Sequence, residues 1–554
     1  MRRLLWGRNI GSKAKACGYL MAAASTAAVA IHIYSDDDFN NKLRTFYHGI
    51  VRSSRAVSTC TLNVIDYKYT LRMLAPNSEE YYEALSQVHH RAANRILKLC
   101  EVNKGFYVKA GQFIASIRQV PKEYQSLLSS LQDQAVPFQF DAIKEVITRN
   151  FGRELSEIFL SFDEQPIAAA SIAQVHHAIL KDYQEVAVKV QYPGLEKQMQ
   201  IDAKTMYILS KSIAWIFPEY QFEWIVPEFE KTISMELDFT QEAKNSERTA
   251  RNFKRKNVVR VPKIFWDLTT KQVLTMQFWH GYKIDDLEKL KEVGIKPQKV
   301  AQALAEVFAE MIFVHGFVHG DPHPGNILVS PRGGQAFYLV LLDHGIYREF
   351  DDEFRLNFCQ LWKALILQDS RKIQDLGEKL GAGKYSKFFP IIFTGRTIDS
   401  KSALGRSMSD EEKKKLKQEL RSFDLGDISS FMESLPRDFL TILRTDGLVR
   451  SIISKLGVSQ RVRLLAYAKF AVAGLKTEPN LETFGDMSSR VWTSIEYTSL
   501  RILLEFLELH SRMDAFRLLF INKLKAVVSE ISRFLWSVPS LVIKMQPLKT
   551  LFNN

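Results

Sequence analysis

The residues best suited to chemistry lie between 319 and 345. His319-Gly320-Asp321-Pro322-His323-Pro324-Gly325-Asn326 sets a carboxylate and a carboxamide five residues apart. The apolar run Tyr338-Leu339-Val340-Leu341-Leu342 then reads as a strand that delivers Asp343, with His344-Gly345 directly after it. Oxygen donors of this kind suit a hard divalent cation. They also suit phosphoryl transfer, where only cations and positioned donors can offset the charge on the moving group. Well upstream, Val186-Ala187-Val188-Lys189 adds a lysine on a strand-like stretch. Each fragment alone is weak. Their order along the chain is what carries weight.

Periodicity gives the elements that must hold these residues. Residues 40–135 read as helices, with Tyr81-Tyr82-Glu83-Ala84-Leu85 beginning one apolar repeat at helical spacing. Pro137 breaks that pattern, and Asp141 is expected to N-cap a helix through Ile147. From Pro166 to Tyr192 the texture is strand-like, with Val175, Val186, Val188 and Val190. Helices are expected over 196–215 and 227–254, and a strand pair over 260–278, where Pro262 and Trp266 precede Val273-Leu274-Thr275-Met276. A helix from Lys299 to His315 should lead into the 319–326 loop, with Ala301, Leu304, Val307, Phe308 and Ile312 on its buried face. Beyond 351 the chain reads as helical to its end, with Asp410-Glu411-Glu412-Lys413-Lys414-Lys415 as a solvated stretch.

Composition narrows the function classes. A chain of 554 residues exceeds one domain, and 46% hydrophobic with 25% charged residues is ordinary globular usage. Cys17, Cys60, Cys100 and Cys359 show no C-x-x-C spacing, which argues against a disulfide framework and a structural zinc site. His319, His323 and His344 have no second ligand pair at zinc spacing, so hydrogen bonding is the expected role of all three. A net charge of +13 without a nucleic-acid motif points to anionic membrane lipid rather than DNA or RNA.

The N-terminus reads as an address. Arg2, Arg3, Arg8, Lys13 and Lys15 precede the first acidic residue, Asp36, and residues 1–15 resemble a mitochondrial presequence. Residues 16–34 are small and apolar, near the ~20 residues of a spanning helix, and stop at Asp36-Asp37-Asp38. The expectation is one span in the mitochondrial inner membrane, with the body in the intermembrane space. A secretory signal peptide and a wholly cleaved presequence are the rivals.

Four motifs together resemble the UbiB-type atypical kinases, also called aarF-domain-containing kinases. They are Lys109-x-Gly111-Gln112, Ala168-Ala169-Ala170-Ser171, Glu236-Leu237-Asp238 with Glu242, and the 319–326 stretch. Asp343-His344-Gly345 and the N-terminal run are similar to the mitochondrial aarF-domain-containing kinase one subgroup. The resemblance implies an α+β, two-lobed protein-kinase-like fold. A helical extension with the K-x-G-Q helix would occupy 35–135, the kinase core 136–400 and a helical C-terminal region 401–554. It implies ATP and Mg²⁺ as cofactors. Lys189 would bind phosphates, Asp321 would stand beside the nucleophile, and Asn326 and Asp343 would hold the metal. Glu236 is the expected counter-charge of Lys189, with Glu242 the alternative. Nucleotide contacts would come from Ile167, Ala168, Ala169, Ala170, Ser171, Ile172, Ala173, Gln174 and Val175, together with Lys109, Gln112 and Lys189.

The departures from ordinary kinases shape the functional expectation. Alanines stand where a glycine-rich loop would lie, so the loop should be stiffer. Gly320 stands where an arginine would read a phosphorylated activation loop. Little chain separates Asp343 from the helix expected near Asp351, and no Ala-Pro-Glu follows, so the usual peptide platform is missing. The resemblance also implies that the K-x-G-Q helix lies over the site. The expected function is therefore a Mg-ATP-dependent kinase or ATPase acting on lipid or quinone precursors, supporting coenzyme Q or lipid homeostasis and cristae organisation. The alternative is a nucleotide-binding pseudokinase scaffold that works through membrane-shaping proteins or proteases. A conventional protein kinase ranks last.

Overall fold

Four helices open the described chain. They are α1 (Phe39–Leu71), α2 (Glu79–Asn103), α3 (Phe106–Ser116) and α4 (Lys122–Leu128). This is a computed structural model describing residues 39–75, 78–116, 120–132, 137–217, 225–395 and 435–475, with isolated helical positions between 411 and 529. The presequence-like segment 1–15, the expected span 16–34 and most of 401–554 lie outside the described residues. Within 410–415 only Glu411 and Lys414 are described, and both are exposed and helical. Among the described residues no helix is long and apolar enough to cross a membrane.

The N-terminal lobe follows. Helix α5 runs Phe140–Phe151 with Gln139 at its N-cap and no side-chain cap, so Asp141 lies inside the first turn instead of capping it. Phe140 packs on Phe162 and His176, which draws the helix start back past Asp141. Strands β1 (Phe159–Phe162), β2 (Ala168–Ala169), β3 (Ala173–Leu180) and β4 (Glu185–Gln191) come next. Helices α6 (Leu195–Ile216), α7 (Ile225–Glu236) and α8 (Phe239–Asn252) separate them from β5 (Val259–Arg260) and β6 (Val273–Gln277). The sheet order is β1-β3-β4-β6, with β2 pairing β3. The helix expected over 227–254 is thus two helices. Asp238 caps the second with bonds to the Thr240 and Gln241 amides, and that cap breaks the run.

The strand pair expected over 260–278 is divided between two sheets. β6 joins β4 in the N-terminal lobe, whereas β5 pairs in parallel with a strand of the other lobe. That lobe holds β7 (Tyr282–Lys283), α9 (Pro297–Glu310), β8 (Phe317–His319), β9 (Ile327–Gly333), β10 (Ala336–Leu341) and β11 (Tyr347–Glu349). The helical path beyond α9 continues as a wider turn over Met311–His315 and stops at Gly316, whose φ of 57 suits glycine. Helix α10 (Asp352–Leu367), capped by Asp351, starts where the sequence places it. The architecture is α+β and two-lobed, with helices at both ends of the described chain.

Two contacts tie the flanking helices to the lobes. In the extension, Arg52 of α1 meets Asp202 of α6 at 2.5 Å in a buried pair, and Ser53 Oγ lies 2.9 Å from Thr205 Oγ1. At the other end α11 (Arg437–Lys455) and α12 (Arg461–Gly474) join a single apolar core with α9 and α10. Phe313, Phe358, Trp362, Phe393, Phe439 and Tyr467 interlock there. Arg355 Nη1 donates to the carbonyls of both Phe313 and Gly474 at 3.0 Å.

Gly474 is held so closely that a Cβ would lie 2.2 Å from the Phe313 carbonyl oxygen and 2.9 Å from Cys359 Sγ. Gly474→Ala should therefore cost about 1–3 kcal/mol, read as a lower urea midpoint at unchanged slope. An unchanged midpoint would show that α12 can withdraw from the core without loss.

Candidate active site between the lobes

Strand alternation aims the key lysine. Val186, Val188 and Val190 of β4 sink into the cluster beneath α5, so Ala187 and Lys189 face the other way. Lys189 Nζ donates to Glu242 Oε1 and Oε2 at 2.8 and 3.0 Å, and to Asp343 Oδ2 at 2.8 Å. The ammonium also lies 5.0 Å from the centre of the Phe239 ring. Burial alone would lower its pKa, but the two carboxylates outweigh burial and hold it above the ordinary lysine range. Asp343 is held well below the usual carboxylate range, as Lys189 and the Gly345 amide outweigh its burial. Burial pushes Glu242 up to about 7 against the pull of Lys189.

The counter-charge of Lys189 is thus Glu242, not Glu236. Glu236 ends α7 and pairs instead with Lys109 of α3 at 2.6 Å. The cap at Asp238 breaks the helix between the two, and Glu242 in the first turn of α8 meets Lys189 while Glu236 at the end of α7 meets Lys109. Lys109 stands among carboxylates. Burial would lower its pKa, and Glu236, Asp321 and Asp343 together raise it. The K-x-G-Q helix therefore reaches the cleft through Lys109. Gln112 does not share that contact, since its Nε2 donates to the Leu131 carbonyl at 3.0 Å within the extension. Gly111 is required by packing, because a Cβ there would meet Leu131 Cδ1 at 2.4 Å and Cys100 Sγ at 3.2 Å.

The loop after β8 is built around its own backbone. His319 Nδ1 accepts from the Asp321 amide at 3.0 Å, and Asn326 Nδ2 donates to the Asp321 carbonyl at 3.1 Å. That bond uses the carboxamide nitrogen and leaves its oxygen as the acceptor. Gly320 donates to the Ile346 carbonyl, and a Cβ on it would lie 2.8 Å from Ile346 Cγ2, so a larger residue would have to displace that side chain. His344 is buried, with Nδ1 3.0 Å from the Tyr347 hydroxyl and Nε2 3.1 Å from the Leu341 carbonyl. His323 Nδ1 accepts from Gly325. Asn245 of α8 donates to the His344 carbonyl at 3.0 Å, which holds the segment after Asp343 against the helix bearing Glu242.

The alanine-rich loop is a hairpin rather than an open flap. Ala168 and Ala169 pair with Val175 and Gln174, and the Ala170 amide donates to Ala173. Tyr192 grips the turn twice: its hydroxyl donates to the Ala170 carbonyl at 2.8 Å, and its amide to the Ile172 carbonyl at 3.1 Å. Ile167, Ala168 and Ala170 are exposed, whereas Ser171, Ile172, Ala173 and Gln174 are buried. Gln174 turns its side chain to the Phe138 backbone and to His176. Two functional neighbours escaped sequence reasoning, Tyr192 and Arg444. Arg444 Nη2 of α11 stands 3.5 Å from Asp321 Oδ1. Neither belongs to a motif, and no spacing relation ties either to the site.

A two-lobed fold whose buried lysine binds a helix carboxylate and a strand-borne aspartate, above an Asp-x₄-Asn loop, defines a kinase-like protein. Residues 130–377 match the ABC1 atypical kinase-like domain. The chain is 40% identical over 413 residues to AarF domain-containing protein kinase 1 of Xenopus tropicalis, covering 74% of this chain and 79% of that one. It is 38% identical over 440 residues to the Mus musculus protein of that name, covering 78% and 83%. With AarF domain-containing kinase 1 of Drosophila melanogaster it shares 34% identity over 480 residues, covering 86% and 92%. The chain belongs to the ABC1, or AarF domain-containing, atypical kinase family. Membership of that family implies nucleotide binding.

The two glutamates should separate cleanly on mutation. Glu242→Gln leaves Lys189 half-paired in a buried site and should cost about 3–5 kcal/mol of stability together with most nucleotide affinity. Glu236→Gln should cost far less nucleotide affinity, because Glu236 pairs with Lys109 rather than with Lys189. Nucleotide titrations followed by thermal shift decide the matter, and the reverse order would return Glu236 to Lys189.

Proposed function

We propose that this chain is a Mg-ATP-dependent atypical kinase or ATPase of the mitochondrial inner membrane. It would act on lipid or quinone-related substrates and support lipid or coenzyme Q homeostasis and cristae organisation. The observation that carries the catalytic part is Lys189 bonded at once to Glu242 and Asp343, with Asp321 and Asn326 on the adjoining loop. Lys189 would bind the nucleotide phosphates from its buried seat. The donor set suits Mg²⁺, which keeps few protein ligands and shares the rest with phosphates. Asp343 is an ionised carboxylate and Asn326 retains a carboxamide oxygen, so these two would hold it. When bound, the cation supplies charge compensation to the phosphates. Asp321 would orient the acceptor and take its proton.

The substrate class follows from what crowds the cleft. Lys109 brings the extension to the carboxylates of the site, and only the segment His344–Phe350 separates Asp343 from the cap of α10 at Asp351. That leaves no broad platform for a peptide and favours a small or lipid-borne acceptor. The basic, acid-free start, the apolar run 16–34 and Asp36-Asp37-Asp38 support the inner-membrane location. Anionic mitochondrial lipids are the proposed surface partner, since a +13 chain gains on the order of ~1 kcal/mol per basic residue near such a bilayer. The second reading, a nucleotide-binding scaffold acting through membrane-shaping proteins or proteases, is favoured by one observation. The Lys109–Glu236 pair brings the extension's K-x-G-Q helix up to the carboxylates of the cleft, which narrows the room for an acceptor.

ATP turnover by the full chain in cardiolipin-containing vesicles tests the catalytic reading. Asp321→Asn should abolish turnover while keeping nucleotide affinity, and Asp343→Ala should lose Mg-ATP binding in a thermal-shift titration. Nucleotide binding without turnover in the wild type would favour the scaffold. Location has its own test. Protease added to mitochondria with ruptured outer membranes should digest the kinase body, and alkaline carbonate should leave it in the pellet. Protection would move it to the matrix, and release would remove the anchor.

A further inference from the structure

Phosphoryl transfer places a cation on the moving group, and the loop that should carry one does not. Between Asp321 and Asn326 stand Pro322, His323, Pro324 and Gly325, with no lysine or arginine. His323 is engaged with the Gly325 amide. Lys189 is committed to Glu242 and Asp343, and Lys109 to Glu236. A third cation reaches the same place from outside the kinase core. Arg444 Nη2 stands 3.5 Å from Asp321 Oδ1, and its Nε is buried with no partner among the described residues. The guanidinium carbon lies 5.7 Å from the centre of the Phe113 ring, on the K-x-G-Q helix.

The arginine is placed by contacts on either side of it in α11. Thr445 Oγ1 donates to the His319 carbonyl at 3.1 Å, two residues before Asp321. About two turns earlier, Asp438 pairs with Arg348 of β11, the strand that pairs with β8. The helix is thus registered on the strand that begins the loop. The contact to Asp321 itself is long for a hydrogen bond, and both side chains keep a quarter or less of their surface open, 20% and 24%. The guanidinium is desolvated, oriented and weakly satisfied.

We propose that Arg444 binds the terminal phosphoryl group of ATP and stabilises it during transfer. This rests on the kinase or ATPase reading and deepens it. The acceptor oxygen, of a hydroxyl or of water, forms a bond to Pγ. The bond from Pγ to the β–γ bridging oxygen breaks, and its electron pair leaves on ADP. The acceptor proton passes to Asp321. The planar guanidinium offers two parallel donors to the phosphoryl oxygens, a stronger match than its single long contact to Asp321. ADP has no group at that position, so Arg444 should discriminate between the two nucleotides.

Equilibrium affinities for Mg-ATP and Mg-ADP decide this without relying on turnover. They are measured on the full chain carrying Asp321→Asn, with and without Arg444→Ala, because that background removes any effect Arg444 exerts by neutralising Asp321. Loss of Arg444 should weaken Mg-ATP by about 10- to 100-fold, as expected for a charge-assisted bond, and leave Mg-ADP unchanged. Equal affinities with and without Arg444, or equal losses for both nucleotides, would overturn the proposal. If Arg444→Ala fails to fold, Arg444→Lys replaces it. Lysine keeps the charge but not the fork, so Mg-ATP alone should weaken by a smaller factor, and no selective change would overturn the proposal. Turnover by wild-type protein, measured in parallel, tests the kinase or ATPase reading separately. An inactive wild type with a selective ATP loss would refute that reading and retain Arg444.

Discussion

One buried ammonium organises the cleft. Lys189 joins a strand of the N-terminal lobe, a helix beside it and the strand-borne aspartate of the other lobe. An unpaired charge at this depth would be prohibitive, so the lobes meet in the arrangement that supplies its partners. Glu242 and Asp343 in turn need the lysine. Asn245 then fastens the backbone after Asp343 to the same helix. Nucleotide phosphates entering the site would compete for the lysine that holds the lobes in register, which couples occupancy of the cleft to its geometry.

The second constraint is steric. Gly320 packs so closely on Ile346 that the arginine through which ordinary kinases sense a phosphorylated segment would have to displace that side chain. What holds the loop instead is its own backbone, with His319 and Asn326 reading the Asp321 amide and carbonyl. The hairpin bearing Ala168 and Ala169 is treated likewise, gripped by Tyr192 from the far end of β4. Both segments are therefore fixed by internal bonds.

Much of this was legible in the sequence, for a physical reason. Motif residues sit where chain geometry is local: Asp321 and Asn326 share one short loop, and Asp343 follows a strand end. Periodicity gave helices and strands for the same reason, since burial follows the repeat of the element. What failed was anything decided by where an element breaks or which distant strand it pairs with. The cap at Asp238 exchanged Glu236 for Glu242, and the division of 260–278 sent β5 and β6 to different sheets. The start of α5 moved because Phe140 had an aromatic partner 22 residues away. Arg444 was invisible because its closeness to Asp321 spans more than a hundred residues and follows no repeat.

The recognised domain ends at residue 377, yet the hydrophobic core does not. Phe439, Ile453, Tyr467 and Val472 belong to the same cluster as Leu304 and Phe358, and Arg355 is satisfied by a carbonyl at 474. Family likeness and folding unit therefore have different edges in this chain. A fragment cut to the recognised domain would keep Lys189, Glu242, Asp321 and Asp343 but lose Lys109 and Arg444, and would expose the apolar surface that the C-terminal helices cover. In evolutionary terms, the C-terminal helices are free to diverge in sequence only as far as they continue to seal that surface.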